Sequence, residues 1–303
     1  MGYSFILQFC ALLTLRLGHL ALMMTCLLLL GVSGVRAEES APIPLPPVRF
    51  ILSFDDGPSG AQAENPTEAI LDALASNPTQ AGIKVLFFVQ TRTSDAGASE
   101  RGQALLAREH NEGHVLALHS GTSLGHLNHR ELSDEVLEQS MRDGTADLLA
   151  VTGRNATLVR PPYWAYDDRT LAVYAKNDLD MLLTDISAND GKTKGFNGSP
   201  RRFIHMASEI RKVLERMRNN EMPVVDGVIP VVVTFHDTNS YTAEHIFEYL
   251  QMIVDEAREQ GITLAPEPFY NDAQQLERAA RVRAQDVAGR TEMTPWWWRW
   301  VLW

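Results

Sequence analysis

One stretch constrains the fold of this chain more than any other. The run Arg49-Phe50-Ile51-Leu52-Ser53-Phe54 consists mostly of strand formers and ends in Asp55-Asp56-Gly57-Pro58. Gly-Pro prevents a strand from continuing, so the two carboxylates lie at its carboxyl end, where parallel sheets and barrels bind ligands. Successive strand residues point to opposite sides, so Asp55 and Asp56 are expected to meet different partners. A strand-ending turn without function is the alternative for this stretch alone.

Further along the chain, apolar strand-like runs alternate with helix-like stretches. Strands are predicted at 84–89, 114–118, 181–184 and 228–235, and helices at 67–75, 103–112, 133–151, 168–177, 201–219 and 242–260. This alternation predicts an α/β fold with a mainly parallel sheet, open or closed into a barrel, and helices outside it. No linker divides residues 49–270, which we interpret as one catalytic domain.

The amino-terminal segment has the composition of an export signal. Residues 1–37 contain no acidic residue, carry an apolar run at 20–32 and end in a small-x-small pattern at Ala37. This predicts a signal peptide cleaved after Ala37 and a periplasmic or extracellular protein, with a retained membrane anchor as the alternative. Both cysteines lie in this segment, so the mature chain would have no disulfide. Residues 38–48 are predicted to be a Pro-rich spacer.

The carboxyl-terminal segment, 271–303, reads as a polar helix followed by a tryptophan-rich tail. Five of the six tryptophans lie between Trp296 and Trp303. Indole rings suit a membrane interface or a sugar ring, so peripheral membrane or cell-envelope contact is one expectation. Packing of the tail on an apolar patch of its own domain is the other. A net charge of −11 argues against a nucleic-acid partner.

Ionisable residues follow several of the predicted strands. They are Asp55-Asp56, His119, Arg160 within Arg160-Pro161-Pro162-Tyr163, Asp185, Asp190 and His236-Asp237. One carboxylate and two imidazoles are a common ligand set for a divalent metal with open positions. A second carboxylate beside such an ion can act as a base toward water. The pattern therefore indicates a divalent-metal site with a base beside it.

Four of these motifs carry a resemblance to a known family. Ser53 to Pro58, His119-Ser120, Arg160 to Tyr163 and Thr234 to Asp237 resemble, in that order, the motifs of the polysaccharide deacetylases. These are the carbohydrate esterases of family four, with the NodB homology domain. The resemblance spans about residues 49–237. It implies a deformed (β/α) barrel of about seven units and metal-dependent removal of acetyl groups from N-acetylated sugars.

Carried over by position, the resemblance implies a base and a metal site. Asp55 resembles the catalytic base, and Arg160 resembles the arginine that orients this base. Asp56 resembles the metal-binding carboxylate and His119 the first histidine ligand. The implied cofactor is a divalent metal, zinc first, with cobalt or another ion as an alternative.

The resemblance also implies a proton donor and an oxyanion contact. His236 resembles the general acid, and Tyr163 the residue whose backbone N–H helps to stabilise the oxyanion. Independently of the family, amide cleavage needs a proton delivered to the leaving nitrogen, which a histidine can supply near neutral pH. An arginine beside a carboxylate likewise keeps that carboxylate ionised.

The second histidine ligand departs from the family pattern. Ser123 occupies the position four residues after His119, where the family usually has its second histidine. Residues 125–133 resemble the continuation of that motif if three residues are inserted before it, which makes His126 the predicted ligand. His129 is the alternative, and the histidine that is not a ligand is expected at the surface.

Two further positions also differ from the family. Asp190 is followed by Gly191 instead of the usual tryptophan, which removes one wall of the substrate groove. Asp190 is the predicted partner of His236, with Asp185 as a competitor. Thr234 replaces a leucine that normally lines the acetyl pocket, so a wetter pocket is expected.

Three functions are compatible with these residues. The first is an exported metal-dependent N-deacetylase acting on a chitin-like chain, peptidoglycan or an exopolysaccharide. The second keeps the fold but hydrolyses a small cyclic amide, as related amidohydrolases do. The third is a non-catalytic deacetylase-like domain that binds a glycan.

Overall fold

The computed structural model describes residues 44–190 and 199–285. The predicted signal segment 1–37 and the tryptophan-rich tail lie outside the described residues, so both stay predictions. Within the described ranges, no helix is long and apolar enough to cross a membrane.

The core of the domain is one parallel sheet. Its strands are β1 (Val48–Asp55), β2 (Leu86–Gln90), β3 (Val115–Ser120), β4 (Leu158–Val159), β5 (Asp180–Met181), β6 (Ile186–Ser187), β7 (Ile229–His236) and β8 (Leu264–Phe269). The spatial order is β5-β4-β3-β2-β1-β7-β6, and β8 pairs with the first half of β1. β1, which ends in Asp55 and leads into Asp56, is therefore a central strand, paired with β7 along its length and with β2 at Ser53–Asp55.

Helices connect these strands in the alternation that the sequence predicts. They are α1 (Pro66–Ala75), α2 (Glu100–Asn111), α3 (Asp134–Thr152), α4 (Asp168–Lys176), α5 (Ser199–Arg218), α6 (Ser240–Glu259) and α7 (Ala273–Gln285). Polar side chains begin several of them, because a serine or aspartate oxygen satisfies a backbone N–H of the first turn. Ser133 begins α3 in this way, and Asp167 forms a reciprocal capping box with Thr170 at α4.

The two faces of the sheet pack against different partners. Along β1, Phe50, Leu52 and Phe54 belong to the larger apolar core, which includes buried residues of α1, α3, α5 and α6. Ile51, on the other face, belongs to a smaller cluster together with Leu276 of α7. Because side chains alternate, Asp55 extends the Ile51 face beyond the last apolar layer. The polar site thus lies at the end of the face that α7 covers.

One predicted strand is wrong. Residues 181–184 form no single strand, since β5 ends at Met181 and β6 begins at Ile186. These two strands are the two edges of the curled sheet, and residues 182–185 join them. The backbone N–H of Leu182 donates to Val159 O of β4 at 2.9 Å, and that of Asp185 donates to Val232 O of β7 at 3.0 Å. The Asp185 carboxylate also accepts a hydrogen bond from the backbone N–H of Val232 at 2.9 Å. The run is thus a short link between the sheet edges, in which Leu182 is buried and Leu183 and Thr184 are half-buried.

Candidate active site

The candidate site lies at the carboxyl ends of three strands. β1 ends at Asp55, with Asp56 directly after it, and β7 ends at His236. Asp55 and His236 are cross-strand neighbours in the β1–β7 register. His119 is the penultimate residue of β3. Parallel pairing therefore brings residues far apart in the sequence to one edge of the sheet.

A cluster of three side chains, Asp56, His119 and His126, has the composition of a metal site. One potential ligand atom from each lies within 4.8 Å of the others. Oδ1 of Asp56 is 3.2 Å from Nε2 of His119 and 3.2 Å from Nε2 of His126. The two imidazole rings are stacked, with centroids 5.1 Å apart. All three predicted metal ligands are therefore adjacent.

The protonation of His119 shows how well this cluster fits a cation. Its Nδ1 lies 2.8 Å from the backbone oxygen of Arg160, which can only accept, so Nδ1 carries the proton. Nε2 then faces the Asp56 carboxylate, and no hydrogen bond reaches Nε2 from the described part of the chain. Two lone pairs 3.2 Å apart repel each other unless a cation lies against both. The donor set therefore suits a divalent metal.

The pKa values of the cluster agree with this donor set. Burial by itself would raise the pKa of Asp56, but the adjacent imidazoles of His119 and His126 and the more distant His236 outweigh it and lower that pKa. Burial lowers the pKa of His126. At neutral pH the cluster therefore presents an ionised carboxylate, and His126 is in its neutral, metal-binding form.

Asp55 has a different environment from its neighbour. Nη1 of Arg160 lies 2.7 Å from Oδ1 of Asp55 and donates to Oγ of Ser53 at 2.8 Å. The guanidinium is fully buried, donates from Nε to Leu182 O at 3.0 Å and lies 3.9 Å above the ring of Phe88. Burial lowers the pKa of Arg160, whereas the charge of Asp55 raises it. The two groups form a fixed, buried ion pair.

His236 is held by Asp190. Oδ1 of Asp190 lies 2.8 Å from Nδ1 of His236, and its Oδ2 accepts from the backbone N–H of His236 at 2.7 Å and from Thr242 Oγ1 at 2.6 Å. Burial lowers the pKa of His236, but the charge and hydrogen bond of Asp190 raise it to about 10. Nε2 is therefore the nitrogen of His236 left for a substrate.

The competing carboxylate, Asp185, has other partners. Its Oδ1 accepts from Arg216 at 2.5 Å and from Arg283 of α7 at 2.7 Å. Both arginines approach from helices, and the Asp185 carboxylate is almost fully buried between them. Asp185 thus pairs with two arginines, and Asp190 is the carboxylate that contacts His236.

Tyr163 lies in a short 3₁₀ turn, Pro162–Trp164, with a φ of 59°. Its ring centroid is 4.3 Å from that of His126, and its hydroxyl donates to the His126 backbone oxygen at 3.2 Å. The side chain is 49% exposed, so it lies at the mouth of the site. The sequence drew attention only to its backbone N–H, and this side-chain contact with His126 was missed.

His129 is buried, so the expectation of a surface position for the second histidine is wrong. Its Nδ1 lies 2.7 Å from the hydroxyl of Tyr174, and burial lowers its pKa to about 3. The ring also packs edge-on against Tyr174 with centroids 5.8 Å apart. His129 thus packs the loop that carries His126 onto α4.

The hydroxyl of Thr234 lies beneath the site. It is buried and lies 3.0 Å from Oγ of Ser53, which in turn accepts from Arg160. The sequence predicted a wetter acetyl pocket from this hydroxyl. In the structure this hydroxyl contacts Ser53, which accepts a hydrogen bond from Arg160, the partner of Asp55. The wetter pocket stays a prediction. Ser53 was not identified from the sequence, although its spacing of two from Asp55 places both on one face of β1.

Comparisons with known proteins find similarity to polysaccharide deacetylases over part of the chain. Residues 44–182 match the model of the polysaccharide deacetylase family. A chitin deacetylase of Arthroderma benhamiae is 28% identical over 215 residues, which cover 70% of this chain and 48% of that protein. The chain thus spans about half the length of this curated relative.

Solved structures show the same fold. A family 4 carbohydrate esterase from Streptomyces lividans is 20% identical, with a TM-score of 0.51 over 73% of this chain and 93% of that one. The chitin deacetylase of Colletotrichum lindemuthianum is 20% identical, with a TM-score of 0.52 over 76% of this chain and 95% of that one. The predicted deformed (β/α) barrel is therefore confirmed. Residues 44–182 thus match the polysaccharide deacetylase model, and the chain has the fold of the solved family 4 carbohydrate esterases.

Proposed function

We propose that this protein is an exported, metal-dependent hydrolase that removes acetyl groups from the amino sugars of a polysaccharide. The observation that carries the proposal is the meeting of three units at one edge of the sheet. These are the cluster of Asp56, His119 and His126, the Asp55–Arg160 pair and the Asp190–His236 pair. A hydrolytic deacetylase needs a site for a Lewis acid, a base and an acid, and each unit can supply one.

Asp56, His119 and His126 would hold the metal. Two imidazoles and one carboxylate suit zinc, and cobalt accepts the same donors. When bound, such an ion polarises the acetyl carbonyl and makes water a better nucleophile at neutral pH.

The remaining residues move protons and stabilise charge. Asp55 accepts the proton of the attacking water, and the buried guanidinium of Arg160 holds it in orientation. The backbone N–H of Tyr163 donates to the developing oxyanion. His236, kept protonated by Asp190, delivers a proton from Nε2 to the leaving nitrogen.

The proposed substrate is an N-acetylated glycan. The relative from Arthroderma benhamiae and the structural neighbour from Colletotrichum lindemuthianum are both named chitin deacetylases. Another structural neighbour is named a peptidoglycan N-acetylglucosamine deacetylase. The shared unit of these substrates is an N-acetylglucosamine residue, which we propose for this chain as well.

Export and envelope contact complete the proposal. The apolar run in residues 1–37 supports secretion to the periplasm or the exterior, where such polymers occur. The tryptophans between Trp296 and Trp303 support peripheral contact with the membrane or the envelope.

The deciding experiment measures acetate released by the purified mature protein. N-acetylglucosamine oligomers, peptidoglycan fragments and a small cyclic amide are each supplied with and without a chelator. We expect release from a glycan, loss of release with chelator, and recovery on adding zinc or cobalt. The variant Asp55→Asn is the matched control, since it removes the base and keeps the cluster. Glycan binding without release from the metal-loaded protein would identify a binding domain, and turnover of the cyclic amide alone would identify the amidohydrolase alternative.

A further inference from the structure

Asp56 has an unusual backbone conformation. Its φ is 75°, in the left-handed region that residues with a Cβ rarely adopt. This conformation costs roughly 1–2 kcal/mol relative to the right-handed one. It directly follows the last residue of β1 and turns the chain out of the strand, so that the Asp56 carboxylate reaches the two histidines. Something must therefore hold this turn in place.

Gln90, the last residue of β2, donates two hydrogen bonds to this turn, one from its side chain and one from its backbone. Its side-chain Nε2 donates to the backbone oxygen of Asp56 at 3.1 Å, and its own backbone N–H donates to the oxygen of Gly57 at 2.9 Å. Two consecutive carbonyls of the strained turn thus receive hydrogen bonds from one buried residue. Thr93 Oγ1 donates to Oε1 of Gln90 at 3.2 Å and fixes the orientation of the amide.

The loop that carries His126 passes close to the same side chains. Gly125 precedes His126 and has a φ of 82°. A Cβ built on Gly125 would lie 3.8 Å from Thr93 Cγ2 and 4.0 Å from Gln90 Oε1, so the loop runs beside this pair. Ser120, the β3 neighbour of Gln90 in register, donates from Oγ to Gly125 O at 3.3 Å. Gln90 therefore lies between the turn of Asp56 and the loop of His126.

We propose that Gln90, oriented by Thr93, is a positioning residue that sets the metal affinity of this site. It touches neither metal nor substrate. It acts by holding the left-handed turn of Asp56 beside the loop of His126, so that the Asp56 carboxylate points at the two histidines before an ion arrives. This inference rests on the proposed metal site.

The test compares zinc affinity with the stability of the metal-free protein. Gln90→Met keeps the length of the side chain and removes its donor and acceptor. Gln90→Glu keeps the acceptor for Thr93 but turns an oxygen toward the Asp56 carbonyl. Loss of a group that orients a metal ligand typically weakens metal affinity 10–100-fold, so we expect a fall of about that size in both variants. Thr93→Val leaves the amide donor in place, and we expect a smaller fall.

Gln80 provides a matched control. It is a partly buried glutamine that also binds the backbone of a strand, donating to Phe269 O and accepting from Phe269 N, both at 2.9 Å. Gln80→Met should lower the unfolding midpoint of the metal-free protein and leave its zinc affinity unchanged. Affinity is measured by competition with a chromophoric chelator, and the midpoint by thermal denaturation.

The outcomes separate the two proposals. Zinc binding by the wild type and by both Gln90 variants with equal affinity would overturn the positioning role while leaving the metal site intact. A wild-type protein that binds no zinc or cobalt would overturn the metal site, and the positioning role with it. If Gln90→Met does not fold, Gln90→Glu and Thr93→Val give the answer, because both keep the buried volume of the residue they replace.

Discussion

Replacing Asp190 by asparagine tests the proton donor of the proposed reaction most directly. Asparagine has nearly the same shape but no charge. His236 has a pKa of about 10, against an ordinary 6.5, and burial alone would lower it. Without the charge of Asp190 we expect this pKa to fall to 6.5 or below. At about 1.4 kcal/mol per pKa unit, the charge of Asp190 then stabilises the protonated imidazole by about 5 kcal/mol.

Two measurements follow this pKa. In the metal-free protein, the imidazole signals of His236 are followed by NMR as a function of pH. In the metal-loaded enzyme, kcat/KM for acetate release should fall as His236 loses its proton, and this alkaline limb should move to lower pH in Asp190→Asn.

The pH dependence of the free energy of unfolding should also report the raised pKa of His236. Because the folded pKa exceeds the unfolded value, protonation of His236 stabilises the fold fully below pH 6.5, and this contribution is lost as the pH rises toward about 10. The difference in the free energy of unfolding between the wild type and Asp190→Asn should therefore be largest below pH 6.5 and shrink at alkaline pH.

Thr242→Val is the control for this prediction. It removes the hydrogen bond at 2.6 Å to Asp190 Oδ2 and keeps the carboxylate charge. We expect the pKa of His236 to change much less than in Asp190→Asn. A His236 that still titrated near its wild-type pKa in Asp190→Asn would refute the reasoning, and would assign the shift to Asp55 and Asp56, whose charges also raise this pKa.

Three further predictions concern other parts of the chain. Asp55→Asn should retain bound zinc and lose turnover, measured by metal analysis and acetate release; loss of the zinc would exchange the assigned roles of the two aspartates. His126→Ala should sharply lower zinc affinity in a chelator competition, whereas His129→Ala should lower the unfolding midpoint and keep the zinc; equal retention in both would remove His126 from the ligand set. Truncation after Thr294 should release the mature protein from membrane or polymer fractions with activity on soluble oligosaccharides intact; unchanged partitioning with a lower melting temperature would show that the tail packs on the domain.

The sequence predicted the central strands well because their signals are local. β1 and β7 are buried on both faces, so they appear as continuous apolar runs that end in ionisable residues. Parallel pairing then requires those ends to meet at one edge, which is why Asp55 and His236 could be related without a structure. The alternation of helices and strands fixed the fold class for the same reason.

Long-range partners could not be predicted in this way. Residues 181–184 resemble a strand, but the run is divided between the end of β5 and a link that joins the two edges of the sheet. Asp185 and Asp190 are both preceded by apolar or small residues, and only the fold shows that Asp185 meets Arg216 and Arg283. Gln90 carries no motif, and its role depends on the backbone of Asp56, which composition does not report.

The division of labour between the two aspartates follows from their neighbours. Asp55 is neutralised by the fixed charge of Arg160, and Asp190 is neutralised by the protonated His236. Each of these pairs has no net charge, so neither needs a further cation. Asp56 is different, because its carboxylate is ionised and its nearest partners are imidazoles, which can remain neutral. Binding a divalent ion would change the net charge of this cluster from −1 to +1. The ionised carboxylate would attract the ion, and the resulting positive charge would stabilise an oxyanion beside it. We therefore propose that Asp56, the carboxylate without a resident cation, binds the metal, and that Asp55, already held by Arg160, takes the proton.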